Sequence, residues 1–591
     1  MPTLDWIGKK AVQNHHREVP YRLLKCDPNR SVGDPGSGNL LVQGDNLVAL
    51  KALLPYYAGE VKCIYIDPPY NTGNEGWVYN DAVNSPEIRE WLNKQVRGED
   101  EDLTRHDKWL CMMFPRLKLL NEFLRDDGVI IVSIDDFEAY RLRSMMDEVF
   151  GSRNFIGQLV WDKTRKNDAK LFSVGHEYLL VYAKSLPRLR ELKTVWREQK
   201  PGATAIIAKW QELKTQYGDD FASIQMKLRD WYRSLPAGDP SKKLSRYKWV
   251  DKWGPWRDRD ISWPGSGGPR YDVLHPDTHL PCLVPEAGWR FAKPEEMERQ
   301  INLGLVQFRD DHAEPPFRKA HLLPIPEELE ANETDAGGDE DGDQEEDKNG
   351  ELAGLQVMPS VIYKQAQVSV KLLRKIFDGR KVFPNPKDHE ILMRLFRYMS
   401  GPNDLILDAF AGSGSTAHAV LQLNKEERSS RRFVLVEMDK KIATEITAER
   451  IKRVVHGHAG LPVLGGSFRY CTVAEELFTA DGQVSHQVKF SELAQHVYFT
   501  ETGEPLSKTV GRKRSPYIGV SNGTAYYLLF NGILGDKSTN GGNILTSALL
   551  RELPAHDGPR VIFGEGCRLG SDRLKRERIT FKQIPYEIKV S

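Results

Sequence analysis

The hydrophobic positions of the chain form short continuous runs that alternate with amphipathic segments. Residues 61–66, 128–134 and 178–183 are rich in β-branched and aromatic side chains, and we predict that each forms a buried strand. Apolar side chains recur at helical spacing over residues 108–125, which predicts a long amphipathic helix. Alternation of this kind is typical of a doubly wound α/β fold.

The first of these strands ends at the tetrapeptide Asp67-Pro68-Pro69-Tyr70. Two successive prolines cannot donate to a strand ladder, so Asp67 and Tyr70 are expected at the carboxyl end of the strand, where open α/β sheets bind ligands. A carboxylate, a stiff backbone and an aromatic face suit a planar ring that carries an exocyclic amino group. The alternative is a strand-ending turn with an incidental tyrosine.

A second predicted strand, residues 405–408, leads into a turn of small residues that contains Gly412 and Gly414. Glycines allow a ligand to approach the backbone closely, and the helix that follows presents N–H groups to a carboxylate. The turn lacks the lysine of a phosphate loop and the full glycine pattern of a dinucleotide site, so neither ATP nor NAD is favoured. The next strand ends in Glu437, where a ribose-binding acid is expected.

With the two motifs in this order, the chain resembles the β-type adenine-N6 methyltransferases of DNA, in which the Asp-Pro-Pro-Tyr segment precedes the glycine turn. Its size is similar to that of the modification subunits of type III restriction-modification systems. The resemblance implies a Rossmann-like, S-adenosylmethionine-dependent methyltransferase sheet in permuted motif order. It also implies an inserted DNA-recognition domain. Beyond residue 460 the chain departs from this family, and the hydrophobic pattern there predicts strands over 526–530 and 561–563 and a helix that starts over 571–576, in a C-terminal α+β domain.

The resemblance implies that Asp67, Pro68, Pro69 and Tyr70 are catalytic and that the cofactor is S-adenosylmethionine. Asp45 has an alternative role as a helix cap, which is compatible with a contact to the cofactor's adenine. The segment with Asn385 and Lys387 could instead pack a helix start against the sheet. The cofactor-binding residues implied by the resemblance are Asp45, Asn385, Lys387, Asp408, Phe410, Ala411, Gly412, Gly414, Ser415, Thr416 and Glu437.

The implied reaction transfers a methyl group to the N6 amino group of an adenine. The Asp67 carboxylate and the Pro68 carbonyl can accept hydrogen bonds from this amino group, so that its lone pair points at the methyl carbon. No metal is needed. The base must leave the DNA helix, and Tyr70 is expected to stack on it. Cytosine-N4 methylation, a solitary methyltransferase and a non-catalytic recognition subunit remain alternatives.

We predict six regions along the chain. Tryptophans interleaved with lysines and arginines over the middle of the chain favour DNA contact, although the same tryptophans could form a domain core. The regions are an N-terminal arm (1–37), a catalytic half (38–185), a target-recognition region (186–326), an acidic disordered linker (327–351), a cofactor-binding half (352–460) and a C-terminal DNA- or partner-binding domain (461–591).

Composition adds few constraints. The 591 residues carry 83 basic and 83 acidic side chains, so net charge does not itself indicate a nucleic-acid partner. The six cysteines lack Cys-x-x-Cys spacing, which predicts reduced thiols and no zinc site. No apolar run approaches the ~18 residues of a membrane span, and we expect a cytoplasmic protein. The expected partners are double-stranded DNA, a helicase–nuclease restriction subunit and a second copy of the chain.

Overall fold

A computed structural model of the protein describes residues 4–71, 101–163, 171–323, 325, 354–479, 483–506, 515–530 and 542–584. The chain divides into two compact units. The first comprises Met1–Thr194 and Pro359–Ser591, and the second comprises Val195–Met358. The second unit overlaps the predicted target-recognition region, whereas the predicted acidic linker lies outside the described residues.

The strands of the described residues include every strand that the hydrophobic runs predicted. They are β1 (Arg22–Val32), β2 (Leu40–Gln43), β3 (Val61–Ile66), β4 (Leu124–Ile134), β5 (Phe155–Asp162), β6 (His176–Ala183), β7 (Glu198–Gln199), β8 (Trp249–Asp251), β9 (Gly254–Arg259), β10 (Val306–Gln307), β11 (Phe317–His321), β12 (Leu355–Gln356), β13 (Val361–Tyr363), β14 (Leu405–Asp408), β15 (Arg432–Glu437), β16 (Phe468–Glu476), β17 (Tyr517–Ser521), β18 (Thr524–Leu528), β19 (Ile544–Leu545), β20 (Arg560–Gly564), β21 (Gly566–Cys567) and β22 (Ile579–Gln583).

The α-helices of the same residues mostly follow or precede these strands. They are α1 (Lys9–Val12), α2 (His15–Glu18), α3 (Asn46–Tyr57), α4 (Glu101–Phe123), α5 (Ala139–Met146), α6 (Leu186–Glu191), α7 (Ala203–Tyr217), α8 (Phe221–Ser234), α9 (Pro240–Lys243), α10 (Pro294–Asn302), α11 (Ala366–Ile376), α12 (His389–Met399), α13 (Ser415–Glu427), α14 (Ala448–His456), α15 (Phe490–Thr502), α16 (Ser547–Glu552) and α17 (Ser571–Arg576). Among them, none is long and apolar enough to cross a membrane.

The first unit is built on one ten-stranded sheet with the order β1-β16-β2-β15-β14-β3-β4-β6-β5-β13. Strands β2, β15, β14, β3 and β4 run parallel, so their carboxyl ends share one edge of the sheet. All six residues of β3 and all four of β14 are buried, as expected for strands covered on both faces. The predicted doubly wound α/β fold is therefore confirmed.

Strand β6 interrupts the parallel pattern. It pairs antiparallel with β4, and β5 pairs antiparallel with β6. The amino end of β6 and the carboxyl end of β5 therefore lie at the edge where β3 and β14 end. This orientation brings residues at the start of β6 to the ends of the parallel strands.

The N-terminal arm contributes a strand to the sheet, because β1 pairs antiparallel with β16. Cys26 lies directly opposite Cys471 in this register, and the two form a disulfide. The expectation of six reduced thiols was therefore wrong for this pair. The two cysteines are 445 residues apart in sequence, and cysteine spacing along the chain cannot indicate a pairing over that distance. Cys63, Cys111 and Cys282 are buried free thiols.

The C-terminal region forms a four-stranded mixed sheet with the order β17-β18-β20-β22. Strands β18 and β20 and helix α17 occur where the hydrophobic pattern predicted them. Leu506, Ile518 and Phe563 belong to the same buried cluster as the residues of β3, so the core of the first unit extends into this region.

The second unit contains helices α7 to α10 and a four-stranded antiparallel sheet with the order β10-β11-β9-β8. Trp289 is fully buried in its core, and Trp256 is almost fully buried and stacks on Trp249. These tryptophans therefore serve partly as core residues, which was the alternative to DNA contact.

Candidate active site

The Asp67 loop is fixed by hydrogen bonds to its backbone and to the residue that follows Tyr70. The indole Nε1 of Trp109 on α4 donates to the carbonyl oxygen of Pro69 at 2.7 Å. Asn71 has a left-handed backbone with φ of 61°, is completely buried, and donates to the carboxylate of Glu138 at 2.5 Å. The turn after β3 is therefore held at Pro69 and at Asn71.

The Asp67 carboxylate is paired with Lys387. The Lys387 Nζ lies 3.0 Å from Asp67 Oδ1, and it donates to the Tyr70 hydroxyl at 2.5 Å. It also donates to both carboxylate oxygens of Glu177, at 2.9 and 3.0 Å. Tyr70 donates its own proton to Glu177 Oε2 at 3.0 Å. These contacts join three loops at the carboxyl edge of the sheet into one polar cluster.

Glu177 is the centre of this cluster and is almost fully buried. It is the second residue of β6, and Lys163, just after β5, forms an ion pair with it. Burial alone would raise the pKa of Glu177, but the two lysines outweigh it and lower the pKa below its usual value. We call Asp67, Tyr70, Lys163, Glu177 and Lys387 the catalytic cluster.

The two lysines of the catalytic cluster differ in their acid–base properties. Burial would lower the pKa of Lys387, but the carboxylates of Asp67 and Glu177 raise it above its usual value. Burial, and then repulsion by Lys387, lower the pKa of Lys163 to about 8. Lys387 is therefore a permanent cation beside Asp67.

The glycine loop lies beside the Asp67 loop, because β14 pairs with β3 in parallel register. Gly412 and Gly414 have φ values of 49° and 77°, in the left-handed region that favours glycine. A Cβ at Gly412 would lie 3.2 Å from the ring of Phe383. The loop thus leaves a narrow space that a side chain would fill, as required if a ligand lies against the backbone.

Glu437 closes the glycine loop at the end of β15. Its carboxylate accepts hydrogen bonds from the backbone N–H groups of Gly412, at 2.8 Å, and Asp439, at 2.9 Å. Burial raises the pKa of Glu437 above its usual value. Glu437, which we predict to bind the ribose, therefore lies next to the glycines, and its orientation is set by backbone groups.

Asp408 is buried beneath the same loop. It accepts hydrogen bonds from the Phe410 N–H at 2.9 Å and from the Thr416 hydroxyl at 2.6 Å. Burial, helped by the negative charges of Asp67 and Glu437, outweighs these two hydrogen bonds and raises the pKa of Asp408 to about 7. We call Asp408, Gly412, Gly414, Thr416 and Glu437 the glycine-loop cluster.

The remaining predicted residues have varied surroundings. Asp45 caps α3 by accepting from the N–H groups of Leu47 and Val48, and it pairs with Arg116 at 3.2 Å, so the capping alternative is realised. Asn385 is exposed. The hydroxyl of Ser415 donates to the Lys387 carbonyl at 2.7 Å. Phe410 and Ala411 are buried.

Sequence reasoning missed two members of the catalytic cluster and gave another a different role. Lys387 was expected at the cofactor, but its side chain contacts Asp67 and Tyr70. Glu177 was not predicted as a site residue, and Lys163 was expected only among the basic residues that contact DNA, whereas it forms an ion pair with Glu177. The available signal for Glu177 was a lone acid at the start of an apolar strand, which is an unfavourable place for a carboxylate unless it has a partner.

The two clusters together place an anionic hydrogen-bond acceptor, the Asp67 carboxylate, beside the backbone of the glycine loop. The carboxylate of Asp67 suits an amino group. The glycine-loop cluster fits a cofactor with a ribose and a positive charge, because its two buried acids, Asp408 and Glu437, have raised pKa values and neither forms an ion pair with another described residue. Within the described residues, no group of three or more His, Cys, Asp or Glu side chains is arranged to hold a metal ion.

Comparison with known proteins gives consistent matches. The family model described as DNA methylase matches residues 61–449. The chain is 30% identical to the EcoP15I Mod subunit, a type III restriction-modification enzyme subunit of Escherichia coli, over 77% of this chain and 66% of that protein. It is 29% identical to the EcoPI Mod subunit of Escherichia phage P1 (76% and 68%) and 28% identical to the StyLTI Mod subunit of Salmonella typhimurium (76% and 62%). The chain thus spans about two thirds of the length of these relatives.

Proposed function

The chain belongs to the DNA methylase family, and from this premise we propose that it transfers a methyl group from S-adenosylmethionine to the N6 amino group of an adenine in double-stranded DNA. The observation that carries the proposal is the position of Asp67. Its carboxylate is paired with Lys387 at 3.0 Å, at the end of the strand that adjoins the glycine-loop strand. The Asp67 carboxylate, which would accept a hydrogen bond from the amino group, and the proposed cofactor site therefore lie at the same edge of the sheet.

The catalytic cluster has to make a weak nucleophile reactive. The lone pair of an adenine amino group is delocalised into the ring, and hydrogen bonds to Asp67 and to the Pro68 carbonyl favour a tetrahedral nitrogen. Trp109 and Asn71 hold this turn, so the two acceptors keep their positions. When bound, S-adenosylmethionine supplies a methyl group already activated by its sulfonium. The protein's contribution is therefore positioning and electrostatics.

The adenine must leave the DNA helix to reach the end of a strand. We propose that it enters beside Tyr70, whose hydroxyl is held by Lys387 and Glu177. This anchoring restrains the ring in one orientation, which favours stacking of a planar base on its face. The Tyr70 side chain would thus define the plane in which the amino group approaches Asp67.

The similar proteins suggest the biological setting of this activity. Three of them are Mod subunits of type III restriction-modification enzymes, so we propose that the chain is a modification subunit. Its partners would be a helicase–nuclease restriction subunit and a second copy of the chain. Residues 195–358 would supply target recognition. Co-purification with the product of a neighbouring helicase–nuclease gene, and the mass of the chain in solution, test these partners.

The activity is tested by expressing the chain in a host that lacks adenine methylation and mapping modified bases in the host DNA. We expect N6-methyladenine at one sequence. In Asp67→Ala, methylation should fall below detection while S-adenosylmethionine binding, measured by calorimetry, stays within about tenfold, because the carboxylate contacts the base and not the cofactor. Modified cytosine instead of adenine, or near wild-type methylation by the variant, would contradict the proposal.

A further inference from the structure

Two large apolar side chains project into solvent close to the catalytic cluster. Leu171 is 92% exposed and Phe172 is 89% exposed, which makes them the most exposed large hydrophobic residues of the part of the chain that the structure describes. They belong to the connection between β5 and β6. Apolar side chains exposed singly are common, but two adjacent ones, almost wholly exposed, mark a contact surface for another molecule.

The connection that carries them starts and ends at the catalytic cluster. Strand β5 ends at Asp162 and β6 begins at His176, both at the edge where β3 ends. The Lys163 N–H donates to the Gly175 carbonyl at 2.9 Å and closes the base of the connection. Lys163 also pairs with Glu177, which is bound to Lys387. The exposed pair is thus carried by a segment anchored next to Asp67.

A second exposed apolar pair lies at the same edge. Phe137 and Tyr140, which follow β4, are 52% and 59% exposed. The Tyr178 hydroxyl donates to Asp136 at 2.8 Å, and this bond ties the start of β6 to the end of β4. The four side chains Phe137, Tyr140, Leu171 and Phe172 are here called the apolar rim. All four belong to segments that follow β4 or join β5 to β6 at the edge of the sheet where β3 ends.

The charge of the connection indicates which molecule covers the rim. Its sequence also contains Arg165, Lys166 and Lys170, which lie outside the described residues, and no acid between Asp162 and Glu177 other than Asp168. A connection whose sequence combines basic residues with exposed apolar ones suits DNA, whose phosphates flank an apolar base stack. An apolar protein partner would not need this excess of positive charge.

We propose that Leu171 and Phe172 enter the base stack of the DNA duplex and fill the gap that the extruded adenine leaves. This inference rests on the proposed function, because it supposes that a base is extruded to reach Asp67. Apolar side chains inserted between base pairs are a general means of unstacking DNA, and a filled gap keeps the extruded base from returning. The apolar rim would thus hold the duplex open while the amino group lies at Asp67.

The test is the double variant Leu171→Ser/Phe172→Ser, assayed on duplexes that contain the methylated sequence identified in host DNA. One duplex pairs the target adenine with thymine. The other places an abasic residue opposite the adenine, so that the base is already unpaired. Because both side chains are exposed, the substitutions remove no core contacts. The matched control is Leu192→Ser, an exposed leucine beyond the other end of β6.

We expect kcat/KM of the double variant to fall at least about tenfold on the paired duplex and to recover to within about threefold of wild type on the abasic duplex. The control should match wild type on both. Wild-type activity of the double variant on the paired duplex would overturn the inference, and so would an equal loss on both duplexes, which would indicate a phosphate or protein contact. A wild-type chain that methylates neither duplex would overturn the proposed function itself.

Discussion

The catalytic cluster and the glycine-loop cluster lie at the same edge of one sheet, but they are stabilised in opposite ways. In the catalytic cluster, the carboxylates of Asp67 and Glu177 are paired with lysine ammonium groups at 2.9 to 3.0 Å. In the glycine-loop cluster, Asp408 and Glu437 accept hydrogen bonds from backbone N–H groups and a hydroxyl. Ion pairs thus stabilise the acids of the catalytic cluster, whereas hydrogen bonds from neutral groups stabilise the acids of the glycine-loop cluster.

The consequence is seen in the pKa values. Glu177 and Asp408 are both buried carboxyls, yet the pKa of Glu177 is lowered, by Lys387 and Lys163, whereas that of Asp408 is raised to about 7, chiefly by burial. A neighbouring cation therefore decides whether a buried acid remains ionised. In the catalytic cluster, both carboxylates already have a lysine partner before substrate binds. The glycine-loop cluster has acids that a cationic ligand would stabilise, which matches the sulfonium of the proposed cofactor.

Removing the cation of the catalytic cluster should have the largest effect. In Lys387→Met, Asp67 and Tyr70 lose their common partner, and Glu177 keeps Lys163 and the Tyr70 hydroxyl. We expect methyl transfer to fall about 100-fold, as is typical when reacting groups are displaced by about an ångström. Cofactor affinity should change less than about threefold, because the lysine side chain contacts the catalytic cluster. Single-turnover methylation and calorimetry measure the two quantities.

Lys364→Met is the matched control for this variant. Lys364 pairs with Asp388 and Glu390, two acids that closely follow Lys387 in sequence. Neither of these ion pairs involves Asp67. Substitution of Lys364 should leave both quantities near wild type. If Lys387→Met instead loses mainly cofactor affinity, Lys387 serves the cofactor, as the resemblance implied, and the contrast between the clusters disappears.

A side chain at Gly412 should affect the other cluster. Gly412→Leu places a Cβ 3.2 Å from Phe383 and fills the proposed cofactor space, so we expect at least about a tenfold loss of S-adenosylmethionine affinity. Gly59→Leu is the matched control, since Gly59 also has a left-handed backbone, with φ of 67°, but nothing lies within 4 Å of its Cβ position. Unchanged affinity in Gly412→Leu would exclude the loop from the cofactor site.

The clusters also differ in how far sequence could predict them. The proximity of the Asp67 and Gly412 loops could be predicted because a buried strand and the turn after it are encoded locally, and because parallel strands end at one edge. The doubly wound sheet followed from the same hydrophobic runs. Each of these features depends on residues that are close together in the chain.

The rest depends on tertiary contacts. Glu177 reaches the catalytic cluster because β6 inserts antiparallel beside β4, and neither its neighbours nor its spacing from Asp67 predicts that orientation. Lys387 was correctly placed near the site, but the direction of its long side chain is decided by Asp67 and Glu177. The Cys26–Cys471 pairing likewise needs β1 and β16 to be adjacent.

The smallest effect is expected from neutralising the acid beneath the glycine loop. The folded pKa of Asp408, about 7, lies above its ordinary value of 3.8, so between these pH values the folded protein retains a proton that the unfolded chain releases. The free energy of unfolding should therefore fall as pH rises from about 4 to 7, by at most about 1.4 kcal/mol per pH unit from this group.

Asp408→Asn removes the titrating group while keeping an oxygen for the Phe410 N–H, so it should flatten this fall, as measured by urea denaturation at a series of pH values. Thr416→Val provides the opposite shift. It deletes the hydroxyl that donates to ionised Asp408, which should raise the pKa further and extend the fall to higher pH. If both variants retain the wild-type slope, Asp408 is ionised in the folded protein. The glycine-loop cluster would then contain a neutralising charge. The acids of both clusters would be ionised, and the clusters would differ only in the groups that stabilise those acids.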